Sequence, residues 1–316
     1  MQQAEEIHFD IYHIETREPL HVANEYLTHA ERKPTQKYIP QSTLAGALVF
    51  GSTVLFGDEA PSIYSSVYVT HGYPTRTLEL SELLNPRRPP SAYIPKGILN
   101  PATMRLPTRE DRIRMYWAES ILPFTSFLFM AYSKSPELLD KAKAAYEFIA
   151  DWGLGGLRGE GYGAYKISGY KRVTGEVIEC PRDHTYLRGR VLTWLPVELL
   201  PTPSTQARSF ENRVQSEGGD EINVEVAQDV EIQLQAGSFQ PVSFINVSPK
   251  PRAKPPRIKF TSLETGAYIL ISNRNPVKIM RLKYNGAELK LMELLRIRYG
   301  IGLPMQVPLP TLVAIS

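Results

Sequence analysis

Apolar and polar residues alternate along several short stretches of this chain, which is the pattern of β-strands with one buried face. In the stretch 6–15, Ile7, Phe9 and Ile11 share one parity and polar groups mostly occupy the other. The same alternation, or a short apolar run bounded by turn residues, predicts further strands. They are 66–71, 123–132, 164–170, 186–195, 222–227, 230–235, 267–272 and 277–282.

A first helix is predicted within 38–50. Pro40 fixes an extended entry, and leucines follow at helical spacing. Ser42 or Thr43 can cap this helix, because a hydroxyl there accepts a hydrogen bond from a backbone N–H of the first turn.

Two further helices are predicted from the same kind of spacing. One covers 137–152, with Ser135 as its cap, Pro136 at its first position and an apolar stripe that ends at Trp152. The other covers 287–298, where apolar and charged residues suggest an amphipathic helix.

The order of these elements suggests an α+β fold. Strand, helix and strand occur twice in the first half of the chain, and two split β-α-β halves of this kind make a ferredoxin-like domain. We predict that domain over 1–180. Residues 181–316 are predicted to form a second domain, either degenerate ferredoxin-like or β-rich.

Four stretches lack strand or helix periodicity. Residues 20–37 and the polar segment 199–221 are predicted to be loops. The segment 241–256 is too rich in proline for an internal strand. The proline-rich segment 74–107 is too long for a simple connector, so we predict that it is mobile in the free protein and ordered against a partner.

The segment 153–163 places six glycines in eleven residues between a predicted helix and a predicted strand. Glycine clusters occur where the backbone must turn sharply or let a ligand approach. The spacings of a P-loop and of a dinucleotide-binding turn are absent, and the element before the loop is a helix. The loop could therefore approach an extended polyanion as well as a mononucleotide, and a flexible connector is a further open alternative.

Composition narrows the class of protein further. The formal net charge is only +3, but 210–231 is acidic and 250–259 is basic, which permits a local nucleic-acid patch. The single Cys180 excludes an intramolecular disulfide and suits a reducing compartment. An acidic start without an apolar run predicts no secretory signal, and no apolar run is long enough for a transmembrane helix.

Three segments in this order resemble the RAMP superfamily of CRISPR-associated proteins. Residues 38–48, Tyr38-Ile-Pro-Gln-Ser-Thr-Leu-Ala-Gly-Ala-Leu48, are similar to the family's segment at the first helix, although Gln41 replaces a glycine and Ala45 a basic residue. The proline-rich stretch 73–96 is similar to the region that follows in large type III subunits. Residues 153–163, Gly-Leu-Gly-Gly-Leu-Arg-Gly-Glu-Gly-Tyr-Gly, resemble the family's glycine-rich loop.

This resemblance covers about residues 5–170 and implies an RNA-recognition-like, ferredoxin-like RAMP domain. It implies a non-catalytic subunit of a type III CRISPR effector complex that binds guide RNA at its 5′ handle, in antiviral defence in the cytoplasm. The implied partners are the guide RNA, a large polymerase-like subunit and backbone subunits, with no cofactor and no membrane. A guide-RNA-processing endoribonuclease and a capping subunit that touches only protein are the alternatives.

The residues that we predict to bind RNA combine backbone amides, cations, hydroxyls and an aromatic ring. They are Arg32, Lys33, Ser42, Thr43, Gly153, Gly155, Gly156, Arg158, Gly159, Gly161, Tyr162, Gly163 and Lys166. Tyr165 belongs to the same stretch. An ion pair between Arg158 and Glu160, and core positions for Tyr162 and Tyr165, are the structural alternatives.

Candidate catalytic chemistry is sparse. His13, His21 and His29 invite a comparison with processing nucleases, but no motif fixes a proton donor and acceptor near a 2′-hydroxyl. No Cys/His cluster or paired acidic motif predicts a metal site. We therefore predict no catalytic residue and no metal.

Overall fold

A computed structural model describes most of the chain, in both of the predicted domains. The described residues are 5–22, 32–33, 35–75, 96–98, 102–105, 113–156, 158–180, 186–196, 215–217, 222–228, 230–245, 257–273, 275–300 and 306–316. Predictions for 199–214, 218–221 and 246–256 lie outside these residues, as do His29 and most of 76–112.

Three α-helices occur in the described part of the chain, all of them before residue 150: α1 (Gln41–Phe56), α2 (Ala60–Ser66) and α3 (Pro136–Ile149). Ser135 caps α3 through its side chain, which accepts a hydrogen bond from the Leu138 N–H, and Pro136 occupies the first turn. This start was predicted from the sequence and is confirmed. The predicted cap of α1 is wrong, because Pro40 is the N-cap residue and Ser42 and Thr43 lie inside the helix.

Apart from 3₁₀-helices at Gly57–Glu59 and Arg158–Glu160, the remaining described elements are β-strands. They are β1 (Glu5–Thr16), β2 (Arg32–Lys33), β3 (Tyr68–Val69), β4 (Tyr73–Pro74), β5 (Lys96–Ile98), β6 (Ala102–Arg105), β7 (Ile113–Ile121), β8 (Ser126–Ser133), β9 (Tyr165–Cys180), β10 (Leu187–Val191), β11 (Leu195–Pro196), β12 (Gln215–Glu217), β13 (Ile222–Val226), β14 (Val230–Ala236), β15 (Phe239–Ile245), β16 (Arg257–Leu263), β17 (Tyr268–Asn273), β18 (Val277–Tyr284), β19 (Ala287–Gly300) and β20 (Gln306–Ile315).

One large antiparallel sheet organises the fold, as expected for the α+β class. It has 12 strands, and its main path runs β14-β17-β10-β20-β19-β18-β9-β1-β8-β3. Two smaller sheets of four strands each are built around β16 and β7. The pairing of β9 with β18 makes the large sheet continuous across the domain boundary predicted after residue 180, and that boundary stays a prediction.

The large sheet is apolar on both faces. One face packs against the helices through residues such as Tyr12 and Phe129. The other face carries a second buried cluster that includes Phe9, Leu282 and Leu312. Because β3 lies beside β20 although five strands separate them along the sheet path, the sheet curls around this second cluster.

The helix predicted at 287–298 is wrong, because these residues form β19. A register shift in the β19–β20 pairing lies between Glu293 and Leu295. Before it, Leu291 faces the second cluster, and after it, Leu295 faces the helix side, as does Leu294. A bulge that moves the alternation by one residue gives apolar spacings that resemble a helix, and the pairing with β18 and β20 decides the outcome.

Three predicted irregular segments contain strands. Within 199–221, residues 215–217 form β12, which pairs with β16. Within 20–37, residues 32–33 form β2, which pairs in parallel with β7. Within 74–107, β5 and β6 both pair with β7. The prediction of a loop or coil is wrong at these positions, because pairing to a remote strand leaves little signal in the local sequence.

Candidate nucleic-acid interface

The glycine-rich loop 153–163 leaves the end of α3 and closes on itself at its base. The Gly153 N–H donates to the Ile149 carbonyl at 2.9 Å, and the Leu154 N–H donates to the Gly163 carbonyl at 2.9 Å. The Tyr165 N–H then bonds the Ala150 carbonyl at 2.9 Å, where β9 begins. The base of the loop is therefore held by main-chain bonds.

The segment that follows β1 supports the same loop from the side. The Gly156 N–H donates to the His21 carbonyl, and the Gly163 N–H donates to the Pro19 carbonyl, each at 2.8 Å. At Gly155, which has φ of +78°, a Cβ atom would lie 2.3 Å from the His21 carbonyl oxygen. Only glycine allows this close approach, so Gly155 is required for the packing of the loop against the segment around His21.

The tip of the loop is open. Residues 158–160 form one turn of 3₁₀-helix, closed by a 3.0 Å bond from the Gly161 N–H to the Arg158 carbonyl. Arg158, Gly159 and Gly161 are exposed. A Cβ atom at Gly159 or at Gly161 would meet no described atom within 4 Å. The tip therefore leaves backbone and a guanidinium accessible to a ligand.

Gly155→Ala is expected to lower the free energy of unfolding by about 1–3 kcal/mol, because the new side chain meets both an unfavourable φ and a carbonyl oxygen. Gly159→Ala is the matched control at the open tip and should change stability by no more than about 0.5 kcal/mol. Urea unfolding of both variants and the parent measures the difference. Equal stability of the two variants would contradict the supporting role of the loop base.

Two predicted residues at the end of the loop have partners. Lys166 forms an ion pair with Glu15 at 2.5 Å across the β1–β9 pair, and its side chain is partly exposed. Tyr165 is buried, and its hydroxyl donates to the Tyr146 carbonyl at 2.5 Å, so it occupies the core position given as its structural alternative. Tyr162 is half-buried within the loop.

The start of α1 is closed by a buried histidine. The Gln41 N–H donates to Nδ1 of His71 at 2.8 Å, and the Thr43 N–H bonds the Pro40 carbonyl at 2.9 Å. Burial lowers the pKa of His71 to about 3, so its ring is neutral near pH 7. The amide of Gln41 is thus occupied, and Ser42 and Thr43, predicted to bind RNA, sit half-exposed beside it.

Arg32 and Lys33 belong to β2, opposite Trp117 and Ala118 of β7. The same strand β7 reaches the support of the glycine loop, because Nδ1 of His21 lies 2.7 Å from the Glu119 carbonyl. β7 therefore connects β2 to the segment around His21, which supports the glycine-rich loop. The RNA-binding roles of all these residues stay predictions.

Two aromatic residues near Arg158 were missed. Trp152 was predicted to continue the buried stripe of α3, but α3 ends at Ile149 and Trp152 is 58% exposed. Phe50 lies on α1, a helix without a charged residue, and is 39% exposed. The signal for Phe50 was that apolar side chains occur all around this helix, more than one buried face requires.

The histidines among the described residues are buried or hydrogen-bonded. His13 is buried, and this burial lowers its pKa. Within the described ranges, no group of three or more histidine, cysteine or acidic side chains could hold a metal ion. Among those same residues, no helix is long and apolar enough to cross a membrane.

Comparisons with known proteins include a distant likeness in structure. No protein-family model matches the chain, and no curated protein matches it. A chain in the cryo-EM structure of the Type III-B Cmr-beta bound to cognate target RNA is similar, with 17% sequence identity and a TM-score of 0.40. The match covers 53% of this chain and 61% of that chain, and a likeness at this level assigns no function by itself.

Proposed function

We propose that this chain is a non-catalytic RNA-binding subunit of a type III CRISPR effector complex, which contacts the guide RNA at its 5′ handle. The observation that carries the proposal is the glycine-rich loop, whose open tip presents Arg158 next to exposed backbone. Its sequence and that of residues 38–48 resemble the RAMP superfamily.

The topology of the first half supports a ferredoxin-like RAMP domain. Its strands lie in the order β9-β1-β8-β3, all antiparallel, with α1 between β1 and β3 along the chain and α3 between β8 and β9. Two split β-α-β halves produce this order. Both helices pack on the same face of the sheet.

The chemistry of the loop tip suits a single-stranded polyanion. Phosphates accept hydrogen bonds from backbone N–H groups and from arginine, and unstacked bases lie on aromatic faces. In the complex, we propose that the chain also contacts the large polymerase-like subunit and the backbone subunits. The proposal needs no cofactor and places the chain in the cytoplasm.

Arg158→Ala is expected to weaken the binding of handle RNA several-fold and to lower the slope of log affinity against log salt by about 0.7, the value for one phosphate of a single strand. The matched control is Arg281→Ala, an exposed arginine that pairs with Glu176 on the β9–β18 ladder, and its salt slope should stay that of the parent. An unchanged slope with intact affinity in Arg158→Ala would remove the loop from the interface.

The same binding reactions separate the alternatives. Repeat RNA incubated with the protein in EDTA should be recovered intact, whereas specific cleavage would favour a guide-RNA-processing endoribonuclease. Failure of the handle RNA to crosslink to the protein would favour a capping subunit that contacts only protein.

A further inference from the structure

An aromatic patch lies beside the tip of the glycine-rich loop; we define it as Phe50, Phe148 and Trp152. The ring centroids of Phe50 and Trp152 are 6.0 Å apart with planes at 66°, and those of Phe148 and Trp152 are also 6.0 Å apart, at 34°. The guanidinium carbon of Arg158 lies 6.0 Å from the centre of the Phe50 ring. Three rings and a cation thus form one continuous surface.

The packing of the fold does not account for the exposure of this surface. Trp152 lies three residues beyond Ile149, the last residue of α3, where the helical stripe no longer requires an apolar side chain. An exposed tryptophan forgoes the large apolar area that it would bury in a core. Trp152 packs against the rings of Phe50 and Phe148, and more than half of its surface stays accessible.

We propose that the aromatic patch is a stacking site for one unpaired nucleobase of single-stranded RNA. The base lies on Trp152 with Phe50 at its edge, and Arg158 bonds the neighbouring phosphate. Any base fits, because every base has a π-face. This inference rests on the proposed RNA-binding function and adds the nucleobase as a second ligand group next to the phosphate.

The charges around the patch favour RNA over a protein partner. The carboxylate nearest in sequence to Trp152 belongs to Asp151, and Arg17 neutralises it at 3.1 Å. Arg158 then leaves a positive group beside the rings, next to the open glycines of the tip. Val54 lies one turn beyond Phe50 on α1 and is 54% exposed. A protein that docked on α1 would contact Val54 as much as Phe50, so a substitution of Val54 separates a protein partner from RNA.

The test measures the affinity of the parent and of Trp152→Leu for short single-stranded RNAs of handle sequence. We expect Trp152→Leu to bind about five- to a hundredfold more weakly, the range for loss of one base–aromatic stack. Trp152→Phe should retain most of the affinity, and Val54→Ser, the control on α1, should bind like the parent. Thermal unfolding of each variant checks that it is folded.

An abasic nucleotide moved along the RNA identifies the stacked position. At that position the abasic RNA should bind the parent weakly, and Trp152→Leu should cause no further loss, because both changes remove the same contact. Additive losses at every position would overturn the stacking site.

The remaining outcomes separate this inference from the proposed function. If Trp152→Leu binds RNA like the parent while Arg158→Ala binds weakly, the stacking site is wrong and the RNA-binding function stands. If the parent binds none of the RNAs, both are wrong. If Trp152→Leu and Val54→Ser keep RNA binding but both lose assembly with the other subunits, the patch is a protein-docking surface.

Discussion

Arg172→Met is expected to lower the free energy of unfolding by about 3–5 kcal/mol, because it leaves the carboxylate of Asp10 buried without its cation. Asp10 is fully buried at the centre of β1, directly opposite Arg172 of β9. The guanidinium bonds both carboxylate oxygens, with Nε to Oδ1 at 2.6 Å and the second nitrogen to Oδ2 at 2.9 Å. This bidentate pair also raises the pKa of Arg172.

Arg281→Met is the matched control. Arg281 also lies opposite a carboxylate across a ladder, since Nε donates to Glu176 at 2.9 Å, but both side chains are well exposed. Loss of an exposed pair costs about 0–1 kcal/mol. Urea unfolding compares the two variants. The double variant Asp10→Leu/Arg172→Met should recover most of the loss, because it leaves no buried charge. Similar small losses in Arg172→Met and Arg281→Met would contradict the argument.

Local patterns predicted most of the elements that depend on neighbouring residues. The Ser135–Pro136 start of α3 and the alternation in β1 are local signals, and the structure confirms both. The strands predicted at 222–227, 230–235, 267–272 and 277–282 are confirmed as β13, β14, β17 and β18. In each case the alternation of apolar and polar side chains is a local signal.

Elements that depend on remote partners were missed. The sequence of β19 has the apolar spacing of a helix because of the bulge at Glu293. The pairing with β20 sets that bulge. β2, β5 and β6 exist because β7 offers main-chain groups to each of them. Pairing between remote strands is encoded by complementary surfaces, which one local window does not contain.

The candidate interface shows the same division. The exposed tip of the glycine-rich loop was predicted and is found, because a polar segment between two apolar elements lies at the surface. The packing role of Gly155 was missed, since its reason is the carbonyl of His21, far away along the chain. The exposure of Trp152 was also missed, because α3 ends three residues before it.

The second large effect is expected on acidification. His71 is fully buried between aromatic rings, with ring centroids 4.7 Å from Tyr38, 5.1 Å from Trp194 and 6.1 Å from Tyr73. Its Nδ1 accepts the Gln41 N–H, so the proton of the neutral ring is on Nε2, which has no hydrogen-bond partner among the described residues. A second proton would place a charge in this apolar cluster.

The sign follows from the proton balance of folding. The pKa of His71 falls from 6.5 to about 3 on folding, because burial disfavours the charged ring. Between these values the unfolded chain binds a proton that the folded chain excludes, so stability is complete above pH 6.5 and decreases as the pH falls. On acidification, the stability that the neutral His71 ring contributes decreases by about 2 kcal/mol at pH 5 and by about 4 kcal/mol at pH 3.

His71→Asn should remove this part of the pH dependence. The variant is less stable than the parent at pH 7.5, but its further loss between pH 7.5 and pH 5 should be smaller by about 2 kcal/mol. His13, whose pKa burial also lowers, acts alike in both proteins and cancels in the comparison. Tyr38→Phe is the matched control: it removes the hydroxyl that accepts from Trp194, so it should lose stability equally at both pH values. Urea unfolding at the two pH values gives these differences, and a His71→Asn protein that loses as much stability on acidification as the parent would show that His71 is not buried as a neutral ring.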